Sequence, residues 1–153
     1  MANTPPTWRF AEAIETCVKR IRVVDGYLTD IGQMVVREVA QQDEADLPDT
    51  YATVVLSEIM PANQPAVVRT HVDAQVSVVV MLRHGHAPDA QYRMHCAIAD
   101  VQQCIRNAQR DFPQSFQFPR FVSARLLPPV EGMAWAGVEV RFAAHVPLHV
   151  ITH

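Results

Sequence analysis

The sequence predicts an α+β domain in which two helices pack on one face of a single mixed or antiparallel sheet of four to five strands. The predicted order of elements is α-β-β-β-α-β-β, and three observations support it. In residues 72–83 every second side chain is apolar, and the side chains between them are polar as far as Ser77, which is the pattern of a β-strand. Residues 10–24 and 90–112 repeat apolar side chains at helical spacing. Residues 135–145 alternate again and form the last strand.

The chain is expected to form one domain over residues 10–153, preceded by an N-terminal arm at residues 1–9. A length of 153 residues suits a single core. No internal repeat or long linker divides it. The arm contains Pro5 and Pro6 and shows no periodicity, which is typical of an irregular segment.

The first helix is predicted from an apolar stripe and is expected to end at Asp25-Gly26. The stripe consists of Phe10, Ile14, Cys17, Val18, Ile21 and Val24. A first strand at residues 34–39 and a second at residues 51–59 follow, separated by a polar, acidic loop. That loop could bind a cation weakly, but it lacks the glycine and glutamate of a calcium-binding EF-hand, so a solvated loop is expected.

The third strand, within residues 67–83, organises the rest of the domain. One of its faces is apolar throughout and is expected to face the core: Val72, Ala74, Val76, Val78, Val80 and Leu82. The opposite face begins polar and becomes apolar: Asp73, Gln75, Ser77, Val79, Met81 and Arg83. At about 3.3 Å per residue this strand exceeds the 17–20 Å of a typical strand. A neighbouring copy of the chain is therefore expected to cover the excess.

The second helix is expected to begin at Asp89 as N-cap and to end before Pro113. Its stripe is Met94, Ile98, Val101, Ile105 and Ala108, continued by Phe112 just past its end. Residues 121–127 and 135–145 then form a hairpin, with Glu139 and Arg141 on the side away from the core. The second face of the sheet is thus expected to be polar and available to a partner.

Composition excludes several classes of function. The net charge is −3, with 13 basic and 16 acidic residues and no basic run, so tight binding of nucleic acid is not expected. No apolar run approaches the ~18 residues of a membrane helix, and residues 1–9 lack the apolar core of a secretory signal. A soluble intracellular protein without a membrane partner is expected. Its three cysteines, an odd number without a CxxC pair, are expected to be buried and reduced.

No catalytic residue, cofactor or metal is expected. Among the seven histidines, His84 and His86 lie in a turn, while His145, His149 and His153 are spaced by four. On a strand that spacing separates side chains by about 13 Å, which is too far to share a zinc ion. Cys96, early in the second helix beside His95, could become a thiolate nucleophile, but no catalytic motif accompanies it.

Two stretches of the sequence carry a resemblance to a known family. The first is Asp25-Gly26-Tyr27-Leu28-Thr29-Asp30-Ile31-Gly32, followed by a short strand and an acidic loop with Leu47-Pro48 before a Val-rich strand. The second runs from Asp73 to Leu82, through one long helix, to the strand Trp135-Ala136-Gly137-Val138-Glu139-Val140-Arg141-Phe142. In residues 10–146 the chain resembles the small tail-terminator, or tail-completion, proteins of long-tailed bacteriophages.

The resemblance implies a structural virion protein at the head–tail junction, assembled in the host cytoplasm and without enzymatic activity. It implies a homo-oligomeric, hexameric ring that caps the tail tube, ends tube polymerisation and offers a surface for the head. The partners would be the tail tube protein and a neck or connector protein, and DNA would pass through the lumen without specific binding. The candidate subunit-interface residues are Asp73, Gln75, Val79, Met81, Arg83, Glu139 and Arg141.

Three alternatives remain open from the sequence. A head–tail connector or minor tail protein would belong to the same particle. A small metal- or thiol-dependent enzyme would use His84, His86 or Cys96. A generic ligand-binding α+β module would need an apolar pocket between sheet and helices.

Overall fold

The predicted α+β architecture is confirmed, and the described residues form two helices and one five-stranded mixed sheet. The computed structural model describes residues 4–37, 46–83, 89–128 and 134–148. The helices are α1 (Pro6–Lys19) and α2 (Ala90–Arg106), and two 3-10 turns lie at Val23–Asp25 and Ile31–Gln33. The strands are β1 (Val35–Val36), β2 (Thr50–Pro61), β3 (His71–Arg83), β4 (Arg120–Leu127) and β5 (Trp135–Pro147).

The strands lie in the order β1-β2-β3-β5-β4, with β3 at the centre. The β2–β3, β3–β5 and β4–β5 pairs are antiparallel, whereas β1 runs parallel to β2 and pairs only with Ala52 and Thr53. β3 is paired along its length on both sides, because β2 and β5 have 12 and 13 residues against its own 13. The expectation that a neighbouring copy must cover its excess length is therefore wrong.

The core lies between the helices and one face of the sheet. From β3 it contains Ala74, Val76, Val78, Val80 and Leu82, as the alternation predicted, whereas Val72 at the end of the strand is only partly buried. The helices contribute Phe10 and Ile14 from α1 and Met94 and Val101 from α2, all fully buried. Each such side chain contributes roughly 1.5–3 kcal/mol by leaving water.

Both helices differ from their predicted bounds. α1 begins at Pro6 instead of Phe10, since proline is well accommodated in the first turn, where its missing N–H has no helical partner. α2 ends at Arg106, short of the expected end near Phe112. Asp89 occupies its N-cap position, but its side chain makes no capping hydrogen bond.

Two glycines shape the segment from Asp25 to Gly32. Gly26 has a φ of 95°, a left-handed conformation that favours glycine, and it ends the first 3-10 turn. At Gly32 a Cβ atom would lie 2.5 Å from the carbonyl oxygen of Lys19. The close approach lets the Gly32 N–H donate to the carbonyl of Ile21 at 2.8 Å. The second glycine thus lets this segment pack directly against the end of α1.

A buried carboxylate on α2 holds the same segment. Asp100, which is 3% exposed, accepts hydrogen bonds from the backbone N–H groups of Leu28 and Thr29 and from the Thr29 hydroxyl, at 2.7–3.1 Å. Sequence analysis missed this residue. The signal was available, because Asp100 lies next to Val101 on the buried side of the helix, where a charged group requires partners.

Candidate interaction surface

The face of the sheet opposite the helices, here called the outer face, is covered by no helix or strand within the described ranges. β3 and β5 form its middle, and their register places all seven candidate residues on it: Asp73, Gln75, Val79, Met81, Arg83, Glu139 and Arg141. β2 and β4 flank them and add side chains such as Tyr51, Thr53, Val55, Ser123 and Arg125. The structure therefore brings the predicted residues together on one continuous surface.

Val79 and Met81 form the apolar part of the outer face, and both remain partly exposed. Gly137 lies opposite Met81 on β5, and a Cβ atom there would come within 3.3 Å of the Met81 sulfur. The glycine thus gives the methionine room to lie across the neighbouring strand. A flexible thioether in such a position packs readily against a partner of irregular shape.

Arg83 is fixed at the end of this apolar part. Its guanidinium lies 4.7 Å from the ring centroid of Trp135, a cation–π contact, and Nη2 donates to the carbonyl of Leu47 at 3.1 Å. Its Nε lies 3.4 Å from the carboxylate of Asp49. The Trp135 ring meets the ring of Tyr51 edge to face at 5.5 Å. Arg83 therefore presents a preorganised cation next to two aromatic rings.

At the polar end of the outer face the polar side chains are hydrogen-bonded to one another. Arg120 Nη2 donates to both carboxylate oxygens of Asp73 at 2.8 and 2.9 Å, and Arg120 Nη1 donates to Gln117 Oε1 at 3.0 Å. Gln117 Oε1 also accepts from the His145 N–H at 3.0 Å, and His145 Nε2 lies 2.9 Å from Asn63 Oδ1. Asp73 and His145 are buried by these contacts. The expectation that Asp73 is available to a partner is therefore wrong, because an arginine from β4 satisfies it within the subunit.

The centre of the outer face keeps accessible polar groups. Arg141 Nε and Glu139 Oε1 lie 3.6 Å apart, a partly exposed ion pair of the kind that contributes about 0–1 kcal/mol. Gln75 is partly exposed, and its amide lies 3.9 Å from the Met60 sulfur. Ser77, opposite Arg141, is 3% exposed and its Oγ has no hydrogen-bond partner in the described part of the chain. Gln75, Glu139 and Arg141 can therefore exchange their weak contacts for contacts with a partner, whereas Ser77 is covered by its neighbours.

A groove of about 340 Å³ lies where α1 meets the edge of β2. Its lining includes Trp8, Ala11 and residues 54–56. The Arg37 guanidinium lies 4.3 Å from the Trp8 ring centroid and 3.4 Å from the carboxylate of Glu15. The groove is an open, partly apolar recess at the rim of the sheet.

The cysteines and the metal-binding side chains of the described residues bear on the enzymatic alternative. The three cysteines are buried and free, and burial raises the pKa of Cys17 to about 11 and that of Cys104 further, which favours the unreactive thiol form. A hydrogen bond with Cys96 raises the pKa of the exposed Tyr92. No three His, Cys, Asp or Glu residues within the described ranges could hold a metal ion together. His84, His86, His149 and His153 lie outside those ranges.

Membrane spanning through a helix finds no support in the described part of the chain, where neither helix has the length and apolarity needed to cross a bilayer.

Comparison with known proteins gives matches by structure only. No protein-family model matches the sequence, and no curated protein matches it. A chain in the virion of a native gene transfer agent particle matches with a TM-score of 0.62 and 16% identity, covering 90% of this chain and 93% of that one. A sheath/tube terminator of an extracellular contractile injection system, PVC, in its extended state, has a TM-score of 0.48 and 11% identity, and 98% of this chain spans 58% of that chain. The protein therefore shares its fold with a chain of a gene transfer agent virion.

Proposed function

We propose that the protein is a structural tail terminator of a phage-like particle. The observation that carries the proposal is the match of nearly the whole fold to nearly the whole of a virion chain. The sequence resemblance supports the proposal as well, and parts of both stretches that carry it have defined places in the fold. The Asp25–Gly32 segment is held by Asp100, and residues 135–142 lie in β5, beside the central strand.

The terminator forms a hexameric ring on the last tube subunits, stops further addition and offers its other side to a neck or connector protein. DNA then passes through the lumen without being gripped. The net charge of −3 supports this last point, since gripping DNA through its phosphates requires a basic surface.

The outer face supplies a contact surface in this assembly. Val79 and Met81 are the apolar anchors, and Arg83, Gln75, Glu139 and Arg141 are the polar groups around them. An apolar centre with polar surroundings is the usual anatomy of a protein–protein contact. Asp73 is a supporting residue, because its carboxylate is already bound by Arg120.

Removal of the protein from the particle that encodes it tests the proposal. Particles without it should contain tail tubes of irregular, extended length and unattached heads, as seen by electron microscopy. Tails of normal length without heads would indicate a connector instead. Normal particles with normal infectivity or transfer would refute a structural role and return attention to the enzymatic alternative.

A further inference from the structure

We propose that copies of this chain join edge to edge, with β4 of one copy pairing antiparallel to residues 56–61 of β2 in the next copy. The partner is thus a second copy of this chain. The inference rests on the proposed ring and specifies how the ring is made.

Among the described residues, part of the backbone at each edge of the sheet has no strand partner. β1 covers β2 only at Ala52 and Thr53, so the far half of β2 has no strand on that side among the described residues. β4 is the last strand at the opposite end and, within the described ranges, pairs with β5 alone. Rows of free N–H and C=O groups at an edge are a template for another strand.

Strand direction permits head-to-tail joining. Since β2–β3, β3–β5 and β5–β4 are each antiparallel, β2 and β4 run in opposite directions. Rotation about an axis parallel to the strands preserves those directions, so β4 of one copy meets β2 of the next as an antiparallel pair. The two joined surfaces differ, which is the heterologous contact that a cyclic ring requires.

The charged residues on the two edges determine the register of the proposed β2–β4 pairing. The only charged residue in residues 56–61 is Glu58, and β4 carries Arg120 and Arg125, of which Arg120 is bound to Asp73. Glu58 and Arg125 are both exposed and lack an ion-pair partner within the described ranges. Placing them opposite each other pairs an acidic with a basic side chain on the same face of the joined sheet.

This register also matches the faces of the two edges in the middle of the pairing. Ile59 then lies opposite Ala124, both on the helix side, and Met60 lies opposite Ser123, both on the outer face. The stretch with matching faces runs from Glu58 against Arg125 to Met60 against Ser123. The β-bulges, between Leu56 and Glu58 and between Phe121 and Ser123, fall near its two ends and leave the middle regular.

Exposed apolar side chains cluster on the same two edges. Ile59 and Met60 on β2 are 50% and 42% exposed, and Val122 and Leu127 on β4 are 43% and 40% exposed. Joining the edges removes part of this surface from water, which favours association. With the ring axis parallel to the strands, the outer face of every copy points to the same radial side of the ring, so Val79 and Met81 do not lie in the contact between neighbouring copies.

Disulfide trapping tests the pairing directly. The double variant Glu58→Cys/Arg125→Cys is oxidised, both as purified protein at high concentration and in assembled tails, and is resolved on a non-reducing gel. The native cysteines are buried and supply little background. The matched control is Glu12→Cys/Arg125→Cys, since Glu12 is also an exposed glutamate but lies on α1.

The double variant should give a ladder of cross-linked multimers, and the control and the two single variants should not. Charge reversal gives an independent readout: Glu58→Arg or Arg125→Glu should each weaken association by about tenfold, and the double reversal should restore most of it. No cross-link, an equal ladder in the control, or a cross-link only to another tail protein would overturn the inference.

The two proposals fail separately. Wild-type rings, detected by native mass, that do not cross-link at this pair would remove edge pairing and leave the terminator intact. Cross-linked rings together with normal particles in the deletion strain would support edge pairing and contradict the proposed role as a terminator.

Discussion

Replacing Asp100 should release the Asp25–Gly32 segment from α2. Asp100→Ala leaves the N–H groups of Leu28 and Thr29 and the Thr29 hydroxyl without their acceptor. A hydrogen bond to a charged group contributes about 1.5–3 kcal/mol, and three bonds to one carboxylate are not additive. Because water can enter the released loop, we expect a loss of about 3 kcal/mol in the free energy of unfolding. Asp100→Asn keeps one acceptor oxygen and should lose about half as much.

Urea unfolding followed by tryptophan fluorescence measures this loss. With a slope of about 2 kcal/mol per molar, the midpoint of Asp100→Ala should fall by roughly 1.5 M at unchanged slope. The control is Asp111→Ala, which removes a partly exposed pair with Arg20 at 2.6 Å and should cost less than about 1 kcal/mol. If Asp100→Ala shifted the midpoint no further than Asp111→Ala, the buried carboxylate would not hold the segment.

Three further predictions concern the fold, its pH dependence and the outer face. Gly32→Ala should lower the melting temperature by roughly 4–8 °C, because the added Cβ meets backbone at 2.5 Å; calorimetry would show whether it does. The hydrogen bond from Arg20 holds the pKa of Asp111 below 3.8, so the pair stabilises the fold above that pH and its contribution is lost as pH falls through the lowered pKa. The difference in free energy of unfolding between wild type and Asp111→Asn should therefore shrink as the pH falls. A difference that stayed constant in unfolding experiments from pH 7 to 3 would contradict this. Val79→Asp should leave the mass of the ring unchanged but abolish control of tail length. The control Val24→Asp, at an 84% exposed position away from the outer face, should leave both properties intact. If Val79→Asp were monomeric, the contact between subunits would lie on the outer face instead.

The alternation in β3 predicted its two faces correctly, because successive side chains of a strand point to opposite sides of the sheet and the apolar set marks the buried side. Side chains two residues apart share a face, so a run such as Val76, Val78 and Val80 is sufficient to identify the core side. The same periodicity placed Glu139 and Arg141 on the outer face. Helix ends were predicted less well, because Pro6 is compatible with both an arm and a first helical turn.

Contacts between residues distant in sequence could not be read from periodicity. Asp73 is bound by Arg120, 47 residues later, and Asp100 is bound to Leu28, 72 residues earlier. Neither pairing leaves a local pattern, since each depends on which strand or loop the fold brings alongside. The polar face therefore looked more available in sequence than it is in the folded chain.

Because β3 is central, the self-association proposed above falls to the two ends of the sheet. A strand that is paired on both sides has no backbone groups to offer, whereas β4 and the far half of β2 each have one side without a strand partner among the described residues. Two free edges of opposite direction can join copies into an open filament as easily as into a closed ring, depending on the rotation between copies. A terminator must stop growth, so its function requires the rotation that closes. Filaments of the isolated protein that cross-link through Glu58→Cys/Arg125→Cys would therefore support edge pairing and indicate that closure is imposed by the tube.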